Sequence, residues 1–187
     1  MSILTLPATK NAYLCEYFPD RNYSDTDNEG LFAGRFMKPG DRYRSLLFFN
    51  TEKLTGQPSS KSIKTAYLQF YIYRNEIPSG TVKAELYLLP DPWNIDFISW
   101  NNQPPVNHTP EQTLIIPAGW EGLAMVELTS TVTKWMEGSL LNHGLLIKGD
   151  EENNSLIGFR SINYSDPDTH PKLIILFEDS TKSEERD

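Results

Sequence analysis

The sequence predicts an all-β fold of short antiparallel strands, a sandwich or barrel, and three observations carry that prediction. Thirteen prolines and eleven glycines cut 187 residues into short apolar runs, which is the punctuation of strands and turns. Two of those runs alternate strictly between apolar and polar residues. The runs are also numerous enough for two packed sheets, and a chain of this length buries roughly 70 % of the surface its unfolded form exposes, so a core forms without staples. Cys15 is the sole cysteine, so no internal disulfide contributes.

Taken in order, the strand candidates begin with Ala12–Glu16 and Ser45–Phe49. The clearest is Ala66–Tyr73, where Ala66, Leu68, Phe70 and Ile72 face the core and Tyr67, Gln69, Tyr71 and Tyr73 face out. Val82–Leu89 repeats the pattern, with Val82, Ala84, Leu86 and Leu88 inward and Lys83, Glu85 and Tyr87 outward. Leu114–Ile116, Met125–Leu128, Gly144–Lys148, Leu156–Arg160 and Leu173–Phe177 complete the set. One helix is expected over Ser130–Met136, with Thr129 or Ser130 as its cap, Leu128, Val132 and Trp135 at helical spacing, and Gly138 as its stop. Leu46–Phe49 and Leu173–Phe177 are apolar on both faces, so each is expected to be covered twice, by a loop of the same chain or by a neighbour. No internal repeat or linker interrupts the pattern, giving one domain over residues 1–177 and an acidic, solvated tail over 178–187.

A net charge of −8 and a pI near 4.9 argue against nucleic acid as a partner, because phosphate binding needs clustered cations. No apolar run reaches the length that crosses a membrane, so membrane insertion is not expected. The opening MSILTLPATK has no basic stretch followed by a long apolar one, so no classical signal peptide is expected; a cytosolic product, a mature form and another export route remain open.

No sequence-local motif for catalysis is evident, and paired carboxylates, which meet in space and not in the chain, stay open. There is no Gly-x-Ser-x-Gly turn, no phosphate-cradling glycine loop and no pair of histidines at ligand spacing among His108, His143 and His170. The loop DTDNEG places Asp25, Asp27 and Glu29 at alternate positions before Gly30, as a calcium loop begins, but its twelfth position is Phe36, so structural calcium is a weak expectation.

Aromatic side chains are the remaining signal. The outward stripe Tyr67, Gln69, Tyr71 and Tyr73 is the expected ligand face, its side chains about 7 Å apart, with Arg44 extending it. Trp93 and Trp120 lie beside turn residues and are the expected exposed pair, whereas Trp100 and Trp135 sit in apolar patterns that belong to the core. Rings of this kind stack on the C–H faces of pyranoses while polar neighbours take the hydroxyls.

The order Ala12-Tyr13, NYSDTDNEGLFAGRF (Asn22–Phe36), YRSLLFFN (Tyr43–Asn50) and IKTAYLQFYI (Ile63–Ile72) resembles the first half of the DNRLRE-type domain family. Its second half is similar to WNIDFISWNNQPP (Trp93–Pro105), VELTSTVTKWMEGSLLNHGLLIKG (Val126–Gly149), GFRS (Gly158–Ser161) and HPKLIIL (His170–Leu176). The resemblance implies a jelly-roll-like antiparallel β-sandwich related to carbohydrate-binding modules. It also implies a non-catalytic part of a bacterial surface or secreted protein, some relatives binding acidic polysaccharide. The chain departs from the family at Asn11, where an aspartate is common, and at Phe48 and Asn50, where a lysine and an aspartate are usual. Phe48 puts an apolar ring where a charge normally faces out, which favours a buried contact over anion binding.

Two functions follow from different classes. The first is a non-catalytic polysaccharide-binding module working through its aromatic face. The second is a self-assembling structural subunit of a bacterial cell-surface or spore-surface layer or filament, partnered by copies of itself, with Ser2–Leu6 as a free segment able to join a neighbour's sheet edge.

Overall fold

The computed structural model describes residues 1–24, 28–57 and 61–179. Among these lie ten strands: β1 (Ser2–Cys15), β2 (Gly30–Arg35), β3 (Arg42–Phe49), β4 (Lys61–Asn75), β5 (Thr81–Leu88), β6 (Gln112–Pro117), β7 (Gly122–Glu127), β8 (Leu145–Lys148), β9 (Ile157–Arg160) and β10 (Lys172–Asp179). A single helical turn, α1 (Glu52–Thr55), and a nine-residue helix, α2 (Thr129–Glu137), complete the framework.

Pairing closes six strands into a barrel. The first half of β1 pairs with β10, β10 with β4, β4 with β9, β9 with β2, β2 with β3, and β3 with the second half of β1, all antiparallel. β7 is added to β4, and β8, β5 and β6 extend outward from β3. The jelly-roll-like sandwich is a finer arrangement than this pairing demonstrates; what it demonstrates is an antiparallel, mostly β fold around a closed barrel core. The change of partner along β1 has a local cause. A register shift between Ala8 and Lys10, just after the Ala8 N–H donates to the Pro171 carbonyl at 2.9 Å, turns the strand onto β3. Ser2–Leu6 is therefore paired with β10 within the chain and is not the free segment expected.

The alternation of β4 holds as read. Ala66, Leu68, Phe70 and Ile72 are buried in the main core together with Leu173, Ile175 and Phe177 of β10, Leu47 and Phe49 of β3, Leu86 of β5 and Ile147 of β8. β2 has no counterpart among the expected strands because its sequence, GLFAGR, carries two glycines. Both are needed for space: a Cβ on Gly30 would sit 2.3 Å from the Tyr73 hydroxyl, and one on Gly34 would sit 2.9 Å from the Ser155 carbonyl, in a backbone at φ 106°.

Helix α2 buries Val132 and Trp135, with Leu128 just before it, and stops at Gly138 in a left-handed conformation, as the sequence predicts. Its cap differs. Leu128 is the N-cap residue and no side chain caps it; Thr129 Oγ1 instead accepts the Ala66 N–H at 3.0 Å, tying the helix to β4.

A second, smaller core lies on the outer surface of β1, β3, β8 and β5. Ala12, Leu14, Leu46, Tyr87, Leu89, Ile98 and Leu146 are buried there, with Trp93, Trp100 and Val106 packed against them. The cover is the segment 89–111 joining β5 to β6, so the two-sided apolarity of β3 is satisfied by a loop of its own chain.

Candidate functional site

The segment 89–111 has no strand or helix, so its shape depends on side-chain hydrogen bonds and on anchors to the barrel. Asn102 Oδ1 accepts from the Ser99 N–H at 2.6 Å, and its Nδ2 donates to the Phe97 carbonyl. Asn22 and Ser24 both donate to the Ile95 carbonyl, at 2.7 and 2.9 Å. The asparagine-rich sequence thus stands in for the missing ladder.

Beneath it is a charged clamp. Arg44 donates through Nε and Nη2 to both oxygens of Glu151, at 2.7 and 3.0 Å, and through Nη1 to Gln103 Oε1 at 2.8 Å. The Glu151 side chain is 5 % exposed and also has Arg42 and Lys148 within 3.7 Å. Both guanidinium groups lie over the Trp100 ring, Arg42 at 5.3 Å and Arg44 at 4.7 Å. Arg42 also forks onto Glu16, and that hydrogen-bonded pair holds the Glu16 carboxyl below its usual range. Tyr87, buried in the second core and donating to Glu85, is pushed up to about 12, burial first and the nearby carboxylate second.

Two of the clefts on this surface share Pro92 and Trp93. One, of about 340 Å³, is lined by Trp93, Asn94, Phe97, Asn102 and Gln103, with Asp91 at its side. The other, of about 200 Å³, is lined by Lys10, Phe48, Trp93, Asn142 and His143. The Trp93 indole is half-buried between them and fixed by its Nε1–H, which donates to the His143 carbonyl at 3.1 Å. Lys10 Nζ stands 5.2 Å over the Phe48 ring. Phe48 is thus a half-buried wall of the smaller cleft. Asn11 is buried, and its Oδ1 accepts the Ile162 N–H at 2.8 Å.

A ring flanked by amides, a carboxylate and an ammonium, in two contiguous open clefts, suits a ligand with apolar faces and many hydroxyls. The sequence comparison agrees in kind: the model of carbohydrate-binding module family 96 matches residues 2–177. The chain belongs to that family. Modules of this sort are typically non-catalytic. No curated protein matches the module.

The residues expected to form the module's site are not brought together as one surface. Tyr67, Gln69 and Tyr71 share the outer face of β4, each half-buried, beside the exposed Leu123 and Met125 of β7. Tyr73 is at the end of that stripe, beside a register shift between Ile72 and Arg74. Its ring packs on Gly30 and Gly158 under the Arg160 guanidinium, 4.2 Å from the ring centre, and burial raises its hydroxyl above the usual range. Arg44 does not extend the stripe: it faces out from the opposite wall and is engaged with Glu151 and Gln103. Trp93 and Trp120 are not an exposed pair. Trp93 is half-buried in segment 89–111, and Trp120 packs against the main core in the β6–β7 turn, its carbonyl accepting from Asn75.

Trp135 is in the core and Trp100 in the second core, as expected. Asp25 and Asp27 lie outside the described residues; the Glu29 carbonyl accepts the Ser161 N–H at 3.0 Å. Among the described residues no three His, Cys, Asp or Glu side chains cluster as metal ligands, and no helix is long and apolar enough to cross a membrane. Sequence reasoning missed Lys10, Phe97 and Asn142 as lining residues. Only Phe97 had a local signal, the density of aromatic and amide residues in WNIDFISWNNQ.

Proposed function

We propose that this protein is a non-catalytic polysaccharide-binding module, of the DNRLRE-type group its motifs resemble, whose site is the pair of clefts divided by Trp93. The observation that carries the reading is the Trp93 ring, pinned through its N–H and lining both clefts. Stacking on that ring supplies affinity, and Asn94, Lys10 and Asp91 supply direction. The tyrosine stripe takes second place, because its half-buried rings flank the exposed Leu123 and Met125 on a strand face and none of them lines either cleft.

Affinity electrophoresis of the full chain against neutral and uronate-containing polysaccharides tests this. Retardation by at least one polysaccharide, abolished by Trp93→Ala in a variant that still unfolds cooperatively, supports the site. Retardation that survives Trp93→Ala and vanishes in Tyr71→Ala moves it to the β4 face. Retardation by none removes the module reading.

A further inference from the structure

We propose that Tyr17 and Phe18 form a second stacking station for the same glycan, so that the protein grips a long stretch of a linear chain rather than a small sugar. This rests on the Trp93 reading and extends it to the length of ligand recognised.

Among the described residues, three large aromatic side chains are about half or more exposed: Tyr17 at 52 %, Phe18 at 51 % and Phe97 at 70 %. The other large apolar side chains so exposed are aliphatic, and Ile115, Leu123 and Met125 among them sit on β6 and β7. The three rings occupy only two segments, the turn after β1 and the segment 89–111. Asn101 fastens these segments together, its N–H donating to the Pro19 carbonyl at 3.0 Å and its Nδ2 to Asp20 Oδ1 at 2.8 Å. Phe97 lines the larger Trp93 cleft, so the turn that carries Tyr17 and Phe18 is fastened to the segment that supplies both Trp93 and Phe97.

The ring pair on that turn is held in place before any ligand arrives. Tyr17 and Phe18 meet edge to face, with ring centres 4.9 Å apart, and Lys38 Nζ lies 4.7 Å over Tyr17. The Arg21 N–H donates to the Phe18 carbonyl at 3.1 Å, closing the turn, and the neighbouring Glu16 is forked by Arg42. Rings fixed in this way lose little freedom on binding, which is what a shallow stacking site requires. Asp20 supplies a carboxylate beside them, already accepting from Asn101 and still able to accept from a sugar hydroxyl. Neither Tyr17 nor Phe18 lines the Trp93 clefts, so a ligand confined to those clefts leaves them in water and only a longer one covers them.

The test is titration calorimetry of the full chain with size-fractionated linear oligosaccharides, trimers to octamers, of β-1,4-glucan, xylan, mannan and polyuronate. Affinity for the preferred series should rise about tenfold or more between trimer and octamer, the gain typical of an added aromatic contact. The double variant Tyr17→Ala/Phe18→Ala should bind the trimer like the parent and lose the rise. Phe18→Leu, which keeps bulk without the ring, should lose part of it and guards against an unfolded double variant. Trp93→Ala should lose both ligands. Equal affinity for trimer and octamer, or an unchanged rise in both variants, overturns the second station while loss in Trp93→Ala still upholds the module. Binding of no series overturns both.

Discussion

On the outer surface of β4 and β7, Tyr67, Gln69 and Tyr71 stand half-buried beside Leu123 and Met125, which are 53 % and 49 % exposed. On the outer surface of β3, β8 and β5, the segment 89–111 lies over Leu46, Leu146 and Tyr87 and buries all three. Both surfaces begin from the same odd-even alternation, which decides only which side chains point away from the barrel. Whether outward means open depends on a distant piece of chain. Here the covered surface is the one with clefts, because a loop held by side chains leaves gaps that a flat strand face does not.

The sharpest way to break this comparison is to remove one ring from each surface. Trp93→Ala should lower polysaccharide affinity by about 100-fold, since the ring lines both clefts. Tyr71→Ala should change it by no more than about twofold. Affinity electrophoresis of the two variants side by side decides it, and the reverse order would place the ligand on β4.

Next in size is the clamp under the covering segment. Glu151→Ala leaves Arg44, Arg42 and Lys148 without their shared carboxylate and should cost about 3 kcal/mol in urea unfolding, the range for breaking one side of a buried ion pair. Amide exchange in residues 89–111 should accelerate more than in β4. Uniform acceleration would mean that the clamp stabilises the barrel as a whole rather than its cover.

Acid should loosen the same side of the molecule first. Glu16 is held below its ordinary 4.5 by the hydrogen bonds from Arg42. A carboxyl lowered in the folded state contributes stability that is present above 4.5 and is lost as pH falls through its lower folded value. Asp150 acts with the same sign: burial raises it, but hydrogen bonds from the Asn153 side chain and the Glu152 and Asn153 N–H groups outweigh that. Denaturation midpoints measured from neutral pH down to pH of about 3 should therefore fall below 4.5. Glu16→Gln should start lower and fall less steeply; an unaltered slope would assign the acid limb to other carboxyls.

The barrel was legible wherever one residue type repeated. The inward set of β4, the stop at Gly138 and the core places of Val132 and Trp135 all follow from local pattern. β2 was not legible, because Gly30 and Gly34 are there to admit Tyr73 and the Ser155 carbonyl, contacts made by residues far along the chain. The candidate site was half legible for the same reason. Trp93 stood out by its type, whereas Lys10, Phe48 and Asn142 join it only because β1, β3 and the stretch before β8 meet beneath segment 89–111. Arg44 was read correctly as outward and wrongly as a neighbour of the tyrosines, since direction is local and adjacency is not.

The smallest expected effect concerns the open surface. Leu123 and Met125 are outward on β7, directly opposite Tyr71 and Gln69 on β4. If that face meets only water, Leu123→Lys/Met125→Lys should shift unfolding free energy by about 0.5 kcal/mol or less, as exposed substitutions do. It should also leave polysaccharide retardation and sedimentation behaviour unchanged. If the face is instead a contact between copies of the chain, the parent should sediment as more than a monomer at high concentration and the lysines should dissociate it. Sedimentation velocity of both forms separates these outcomes, because two lysines on an outward face change the sedimenting mass only where that face is buried against another copy.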